Sequence, residues 1–296
     1  MIVINSTRSG EYKKALSRKR CRRSWRQVVS RSSRLRKRKG KQMLFRRKQH
    51  KQNYKQMTWQ TPGGSYYDIS NEALKAEHTL IAGTTGCGKT TFVRSIIQAA
   101  LTQYSPAAAQ FILIDPKRFE LIEYSRLPHT ITYARTPGEA LEALELAKQI
   151  MQSRAEELER TRRKHYNGAA VYVIIDELNT LMISTLSKKI RLAMEDIITL
   201  GRAMEIHLIA CTQNPNAKTI PANIVDCYTC RFGLKCLREV QSRQIVGVKG
   251  CEELPKHGET IAVIDGSIGH YALPYVTEDQ INKLIEYWMS SECRAA

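Results

Sequence analysis

A glycine-rich octapeptide between an apolar run and an amphipathic run constrains this chain more than any other feature. Residues Gly83 to Thr90 read GTTGCGKT, preceded by HTLIA and followed by TFVRSIIQAAL. HTLIA reads as a buried strand, and the later run has apolar positions at helical spacing. Gly83, Gly86 and Gly88 let the backbone curl so that successive N–H groups face an anion. The helix that follows presents its positive end to the same anion. The GxxxxGKT spacing therefore predicts a phosphate cradle for a nucleoside triphosphate, built from Gly83, Thr84, Thr85, Gly86, Cys87, Gly88, Lys89, Thr90 and Thr91. In such a cradle Lys89 meets the β- and γ-phosphates and the Thr90 hydroxyl ligates Mg2+. The competing reading, a turn that carries Lys and Thr by chance, does not explain its place between strand and helix.

Two further apolar runs end in acids. FILI ends at Asp115, as a strand covered on both faces reads. A helical pattern spans 138–163, and then VYVIIDE, residues 171–177, leads five apolar residues into Asp176 and Glu177. In this order along the chain, Asp176 is expected to hold Mg2+ through water and Glu177 to orient and deprotonate an attacking water. The alternative is a strand that merely ends in surface acids. A helix over 187–204 and a strand, IHLIACTQNP, follow. Gln213, where that strand leaves the sheet, is a candidate sensor of the γ-phosphate, or else a turn amide. The remainder reads as strand (RFGLKC), short helix (EVQSRQIVG), an antiparallel pair (TIAVIDG and HYALPYV) and a last helix (TEDQINKLIEYWM). The alternation predicts an α/β fold: a RecA-like P-loop NTPase with a central, mostly parallel sheet flanked by helices.

Charge separates the chain into two parts. It carries 47 Lys and Arg against 28 Asp and Glu, a net of +19. Residues 1–55 hold 21 of those basic residues and a single acid, Glu11, so the rest is close to neutral. Residues 1–59 are expected to form a disordered basic tail, because a segment with few aliphatics buries too little surface to offset its ordering entropy. Residues 60–296 are expected to form one ATPase domain. Three roles for the tail stand open: binding nucleic-acid phosphates, attraction to an anionic membrane or acidic partner, and plain solvation. No apolar run reaches the ~18 residues of a membrane span, which predicts a cytoplasmic protein without an integral membrane segment. Eight cysteines are too few for a disulfide scaffold.

Four blocks in one order resemble the FtsK/SpoIIIE DNA-translocase family: HTLIAGTTGCGKTTFVRSII, FILIDPKRFELIEYSRLPH, VYVIIDELNTLM and GRAMEIHLIACTQNP. The likeness continues through RFGLKC, Ser242-Arg243 and GCEELPKHGET. The resemblance implies a ring, usually a homo-hexamer, of RecA-like domains that moves double-stranded DNA using ATP and Mg2+. It implies that Lys89 and Thr90 serve phosphate and metal, Asp176 and Glu177 form Walker B, Gln213 is the sensor, and Arg202 is an arginine finger for a neighbour's nucleotide. A helix-terminal arginine near the negative end of the dipole is the other reading of Arg202. Arg243 is a weaker candidate for a second interface arginine. Asp115 and Lys117 are left between the nucleotide pocket and a subunit contact.

The chain departs from the family at Cys87, usually Ser, where thiol reagents are expected to act. It departs again at Thr180, commonly an acid, and at Glu205, usually Gly. The resemblance is not expected to extend to the family's membrane-spanning and winged-helix modules. Cys227 and Cys230 form a CxxC with Cys236 and Cys251 downstream; zinc competes here with buried thiols, and RFGLKC is expected to place Cys236 in the sheet. The expected function is a DNA-stimulated ATPase and DNA motor of a mobile element, acting in conjugative transfer or packaging with relaxase, channel or capsid partners. The alternative is an ATP-gated DNA-binding or replication-accessory protein that does not translocate. A small-molecule kinase leaves Glu177 and the IDPK and TQNP blocks unexplained.

Overall fold

The computed structural model describes residues 69–290 apart from 214 and 216–219; the basic tail expected over 1–59 lies outside the described residues. The elements run in the order α1 (Ile69–Lys75), β1 (His78–Ala82), α2 (Lys89–Gln103), β2 (Ala109–Ile114), β3 (Thr130–Ala134), α3 (Pro137–Thr161), β4 (Ala170–Ile175), α4 (Leu178–Met182), α5 (Ser187–Leu200), β5 (Ile206–Thr212), α6 (Ala222–Val225), β6 (Cys230–Gly233), α7 (Glu239–Val246), β7 (Glu259–Ile264), β8 (Ser267–Ala272) and α8 (Glu278–Met289).

The strands form one eight-stranded sheet in the order β3-β2-β4-β5-β1-β6-β7-β8. The first six are parallel neighbours, while β7 and β8 add an antiparallel edge. Side chains of a strand point alternately to its two faces, and each face here meets helices. Ile81, Phe111, Leu113, Ile174 and Ile209 pack with Phe92, Ile96 and Ile97 of α2 and with Ile281 and Leu284 of α8. Leu80, Ile112, Ile114, Val173, Ile175 and Leu208 pack with Leu144 and Ala147 of α3 and with Ile190 and Ile197 of α5. Coverage on both sides explains why these strands read as unbroken apolar runs. The mostly parallel sheet flanked by helices is the fold expected from the sequence.

Local chemistry sets the ends of the long helices. Thr136 caps α3, accepting from the Glu139 N–H at 3.2 Å, with Pro137 in the first turn. Thr277 and Gln280 form a reciprocal capping box at α8. Trp288 of α8 donates to the Leu101 carbonyl at 3.0 Å, tying the last helix to α2.

Several expectations need correction. The helix expected over 187–204 stops at Leu200; a Cβ on Gly201 would come within 2.5 Å of the Ile197 carbonyl and 2.6 Å of the Ile206 carbonyl. Arg202–Met204 then form a 3-10 turn. The strand expected at RFGLKC ends at Gly233, so Cys236 lies beyond the sheet, buried with Ile245, Val246 and Cys251. The antiparallel hairpin turns at Asp265-Gly266, so its second strand is Ser267–Ala272 and ends short of Pro274. Elements β3, α1, α4 and α6 had no sequence expectation; β3 is an edge strand whose burial is incomplete, which leaves its apolar pattern weak.

Candidate functional site

In a parallel sheet the C-terminal ends of neighbouring strands meet at one edge. Here β1 is flanked by β5 and β6, and β4 lies beyond β5. The segments that leave β1, β4 and β5 are the glycine-rich loop, Asp176-Glu177 and Gln213. Topology alone therefore brings together residues far apart in sequence.

The loop is held on both sides by its neighbours. The Gly83 N–H donates to the Thr212 carbonyl at 3.2 Å, and the Thr84 N–H donates to the Lys235 carbonyl at 2.8 Å. The Thr84 hydroxyl donates to that same Lys235 carbonyl at 3.1 Å. Gly83 has no room for a side chain: a Cβ would lie 2.8 Å from both Cys87 Sγ and Leu234 Cβ. Gly86 and Gly88 adopt φ of 72° and 100°, the left-handed backbone that disfavours other residues. Lys89 opens α2, is buried, and donates from Nζ to the Gly83 and Thr84 carbonyls at 2.7 Å each. Thr85 is exposed and its hydroxyl donates to Gln213 Oε1 at 2.7 Å. Thr91 lies in the first turn of α2, half-buried.

Cys87 is buried, and burial raises its thiol pKa in spite of the nearby Lys89 charge. Sensitivity to thiol reagents at this position is therefore not what the structure supports.

The acids follow directly from β4. Asp176 and Glu177 are 1% and 3% exposed. Asp176 divides its two oxygens: Oδ1 accepts from the Thr90 hydroxyl at 3.4 Å, and Oδ2 accepts from Lys117 Nζ at 3.2 Å. Glu177 caps α4, its Oε1 accepting from the Asn179 N–H at 3.2 Å and the Gln213 N–H at 3.4 Å. Glu177 Oε2 has no hydrogen-bond partner; the nearest cation is Lys117 Nζ at 3.7 Å. Burial pushes the Glu177 carboxyl above the usual range, partly opposed by Lys117, the Asn179 N–H and Lys89. The Thr90 hydroxyl beside an aspartate is the oxygen pair a hard divalent cation takes, so these residues fit Mg2+. Among the described residues no group of three or more His, Cys, Asp or Glu could hold a metal; Cys227 is exposed, whereas Cys230, Cys236 and Cys251 are buried free thiols.

Asp115 does not reach the loop. Its carboxylate accepts from the backbone N–H groups of Lys117, Arg118, Glu120 and Leu121 at 2.9 to 3.1 Å, and from the Tyr133 hydroxyl at 3.1 Å. It shapes the turn that carries Lys117. Burial alone would lower the Lys117 pKa, but the charges of Asp176, Glu177 and Glu120 together raise it. The sequence left Lys117 without a definite place, and only the fold of this turn brings its ammonium to the carboxylates.

Arg202 also lies away from the loop. It precedes β5, at the sheet edge opposite the loop, where its Nε meets Glu77 Oε1 at 2.5 Å and its side chain is 70% exposed. The turn that bears it is fixed from below. The buried Arg154 donates to the carbonyls of Met204 (2.6 Å), Glu205 (3.0 Å) and Ala169 (2.8 Å), and its guanidinium lies 4.3 Å from the centre of the Tyr166 ring. Sequence reasoning did not single out Arg154, since nothing local marks a helical arginine as buried. Glu205 has a φ of 54°, in the left-handed region that glycine adopts more readily than other residues. Arg243, on α7, is exposed and paired with Glu239 at 2.7 Å.

Comparison with known proteins matches residues 42–169 to the FtsK/SpoIIIE family. The chain is 30% identical to DNA translocase FtsK of Rickettsia typhi, covering 74% of this chain and 36% of that protein. It is also 30% identical to DNA translocase FtsK of Chlamydia trachomatis, covering 71% of this chain and 29% of that one. The chain thus spans about a third of the length of the curated relatives it matches. Among solved structures it is similar to the pCW3 conjugation coupling protein TcpA, a monomer form with ATPγS, at a TM-score of 0.65 and 21% identity over 77% of this chain and 68% of that one. It is similar also to the cytoplasmic domain of the Thermomonospora curvata type VII secretion ATPase EccC, at a TM-score of 0.62 and 20% identity over 72% and 28% of the two chains. At these identities the two structures share the fold.

Proposed function

This chain belongs to the FtsK/SpoIIIE family, and from that premise we propose that it is an ATP-driven motor that moves double-stranded DNA as a ring of identical subunits. One observation carries the reading. The phosphate loop, Thr90, Asp176, Glu177 and Gln213 converge at one edge of the sheet, with Thr90 Oγ1 and Asp176 Oδ1 3.4 Å apart. In this reading the N–H groups of Gly83 and Thr84 anchor the loop to the Thr212 and Lys235 carbonyls. Those from Thr85 into the first turn of α2 bind the phosphate chain of ATP, and Lys89 exchanges its two loop carbonyls for phosphate oxygens. Thr90 and Asp176 hold Mg2+, which when bound neutralises charge on the β- and γ-phosphates. Glu177 is fixed through Oε1, and its Oε2 takes the proton of the attacking water. Its raised pKa makes it a better base than an exposed carboxylate. Gln213, bound to Thr85 through its side chain and to Glu177 through its N–H, senses the γ-phosphate.

Arg202 cannot serve the nucleotide of its own subunit from the far edge of the sheet. We assign it to a neighbour's γ-phosphate, where it stabilises the charge of the transition state. Residues 1–59 are proposed as a basic DNA clamp and 60–296 as the motor. Deleting residues 1–55 is expected to weaken DNA binding and flatten its salt dependence while basal hydrolysis persists. The proposed setting is cytoplasmic and conjugative, in a mobile element with relaxase and channel partners, in line with the name of its fold neighbour TcpA.

The deciding experiment is ATP hydrolysis with and without double-stranded DNA, for the wild type and Glu177→Gln. Stimulation by DNA that is lost in the variant, together with ATP-dependent displacement of a third strand from a triplex, supports the motor. Hydrolysis that ignores DNA, or survives Glu177→Gln intact, overturns it.

A further inference from the structure

Two adjacent carboxylates withdrawn from water require a counter-charge, because a buried charge without a partner is costly. Two ammonium groups are close enough to matter. Lys89 Nζ is engaged with the Gly83 and Thr84 carbonyls. Lys117 Nζ reaches both acids, at 3.2 Å from Asp176 and 3.7 Å from Glu177. Its position is built in. The Lys117 N–H itself donates to Asp115 at 3.1 Å, and three further N–H groups and the Tyr133 hydroxyl bind the same carboxylate.

We propose that Lys117 is a resident counter-ion of Asp176 that competes with the divalent cation, so that metal binding at Thr90 and Asp176 drives the ammonium off. This rests on Asp176 as a metal ligand. The geometry supplies the competition: the ammonium holds Oδ2 while Oδ1 faces the Thr90 hydroxyl. A cation accepted between Thr90 and Asp176 places a second positive charge beside the first and draws on the same anion. Each therefore weakens the other, and the effect is reciprocal. Lys117 is in this sense a positioning residue. It holds the acids until metal arrives, and its displacement shifts it toward Glu177 and solvent.

The test uses full-length protein without nucleotide and Mn2+ as the probe, with free Mn2+ read by electron paramagnetic resonance. Lys117→Met is expected to bind Mn2+ at least about fivefold more tightly than the wild type, the lower end of ordinary coupling between two sites. Lys117→Arg keeps the charge and is expected to match the wild type. Asp176→Asn is expected to lose the binding. Loss in Asp176→Asn with no change in Lys117→Met overturns the competition alone, whereas undiminished binding in Asp176→Asn removes the metal site itself. Wild-type protein gives a second, independent answer. Acetylation of Lys117 by acetic anhydride, followed by mass spectrometry, is expected to run severalfold faster with saturating Mn2+, because the freed amine is less shielded. An unchanged rate overturns the proposal even where Lys117→Met does not fold.

Discussion

Arg202 and Lys89 stand at opposite edges of one sheet: Arg202 lies before β5, and Lys89 lies beyond the C-terminal end of β1 that pairs with it. No side-chain rotation joins them within a subunit. Arg202→Ala is therefore expected to lower ATP turnover by roughly a thousandfold, with nucleotide affinity preserved, as loss of an arginine finger does. In the proposed ring, mixing it with Glu177→Gln is expected to restore activity, since some interfaces would then pair an intact Glu177 with an intact Arg202. Steady-state hydrolysis of the mixture checks this; a mixture as inactive as its components would place Arg202 outside the reaction.

Arg154 anchors the turn from which Arg202 projects. Replacing it by Met takes this donor from the Met204 and Ala169 carbonyls, while the Glu205 carbonyl keeps the Val171 N–H at 2.9 Å. The expected loss is about 3 kcal/mol, the scale for removing a buried charged donor from its partners. Arg154→Lys is expected to recover little of it, because an ammonium cannot reproduce the planar fork or its stacking on Tyr166. Urea denaturation at neutral pH reads both.

Glu205 carries a backbone conformation that suits glycine, at φ 54°. Its side chain compensates in part through His207 Nε2, 3.4 Å away. Glu205→Gly is expected to change stability by less than about 1 kcal/mol, and Glu205→Val to cost about 2 kcal/mol more than the glycine variant. Equal stabilities for the two variants would refute the strain argument.

His78 links stability to acid. Burial, and secondarily the charge of His207, lower its pKa from 6.5 to about 4, outweighing the Ile198 carbonyl that raises it. The unfolded chain then takes up the proton first. The contribution of the neutral ring is complete above about pH 6.5 and is lost as pH falls toward 4. Within that window the stability curve is expected to slope by up to about 1.4 kcal/mol per pH unit. His78→Asn, which keeps an acceptor for the Leu208 N–H now bound to Nδ1 at 3.1 Å, should flatten it. Unfolding free energies measured at pH 5 and pH 7 make the comparison.

The sequence carried much of this architecture because its signals are local. Gly83, Gly86 and Gly88 with Lys89 announce a loop whose geometry depends on a few consecutive residues, and the apolar runs before Asp115 and Asp176 announce strands buried on both faces. What was illegible depends on contacts across the fold. Thr84 meets Lys235 across 151 positions, and Arg154 meets Met204 across 50. No period or spacing encodes either pair. Strand β3 was missed because an edge strand with one half-exposed face lacks the apolar run that betrays its neighbours. Gly201 was missed as a helix stop because its φ of −65° is helical, unlike the left-handed Gly247 that ends α7, and the room it leaves is taken by the returning chain at Ile206.

The Lys235 carbonyl binds Thr84 twice, while the ammonium of the same residue donates to the Glu252 carbonyl at 2.7 Å. One residue thus spans the gap between the loop and the segment that leads toward β7 and β8. A displacement of the chain at Glu252 is thereby handed to the phosphate loop through a single residue, alongside the route that runs from β7 through β6 to β1.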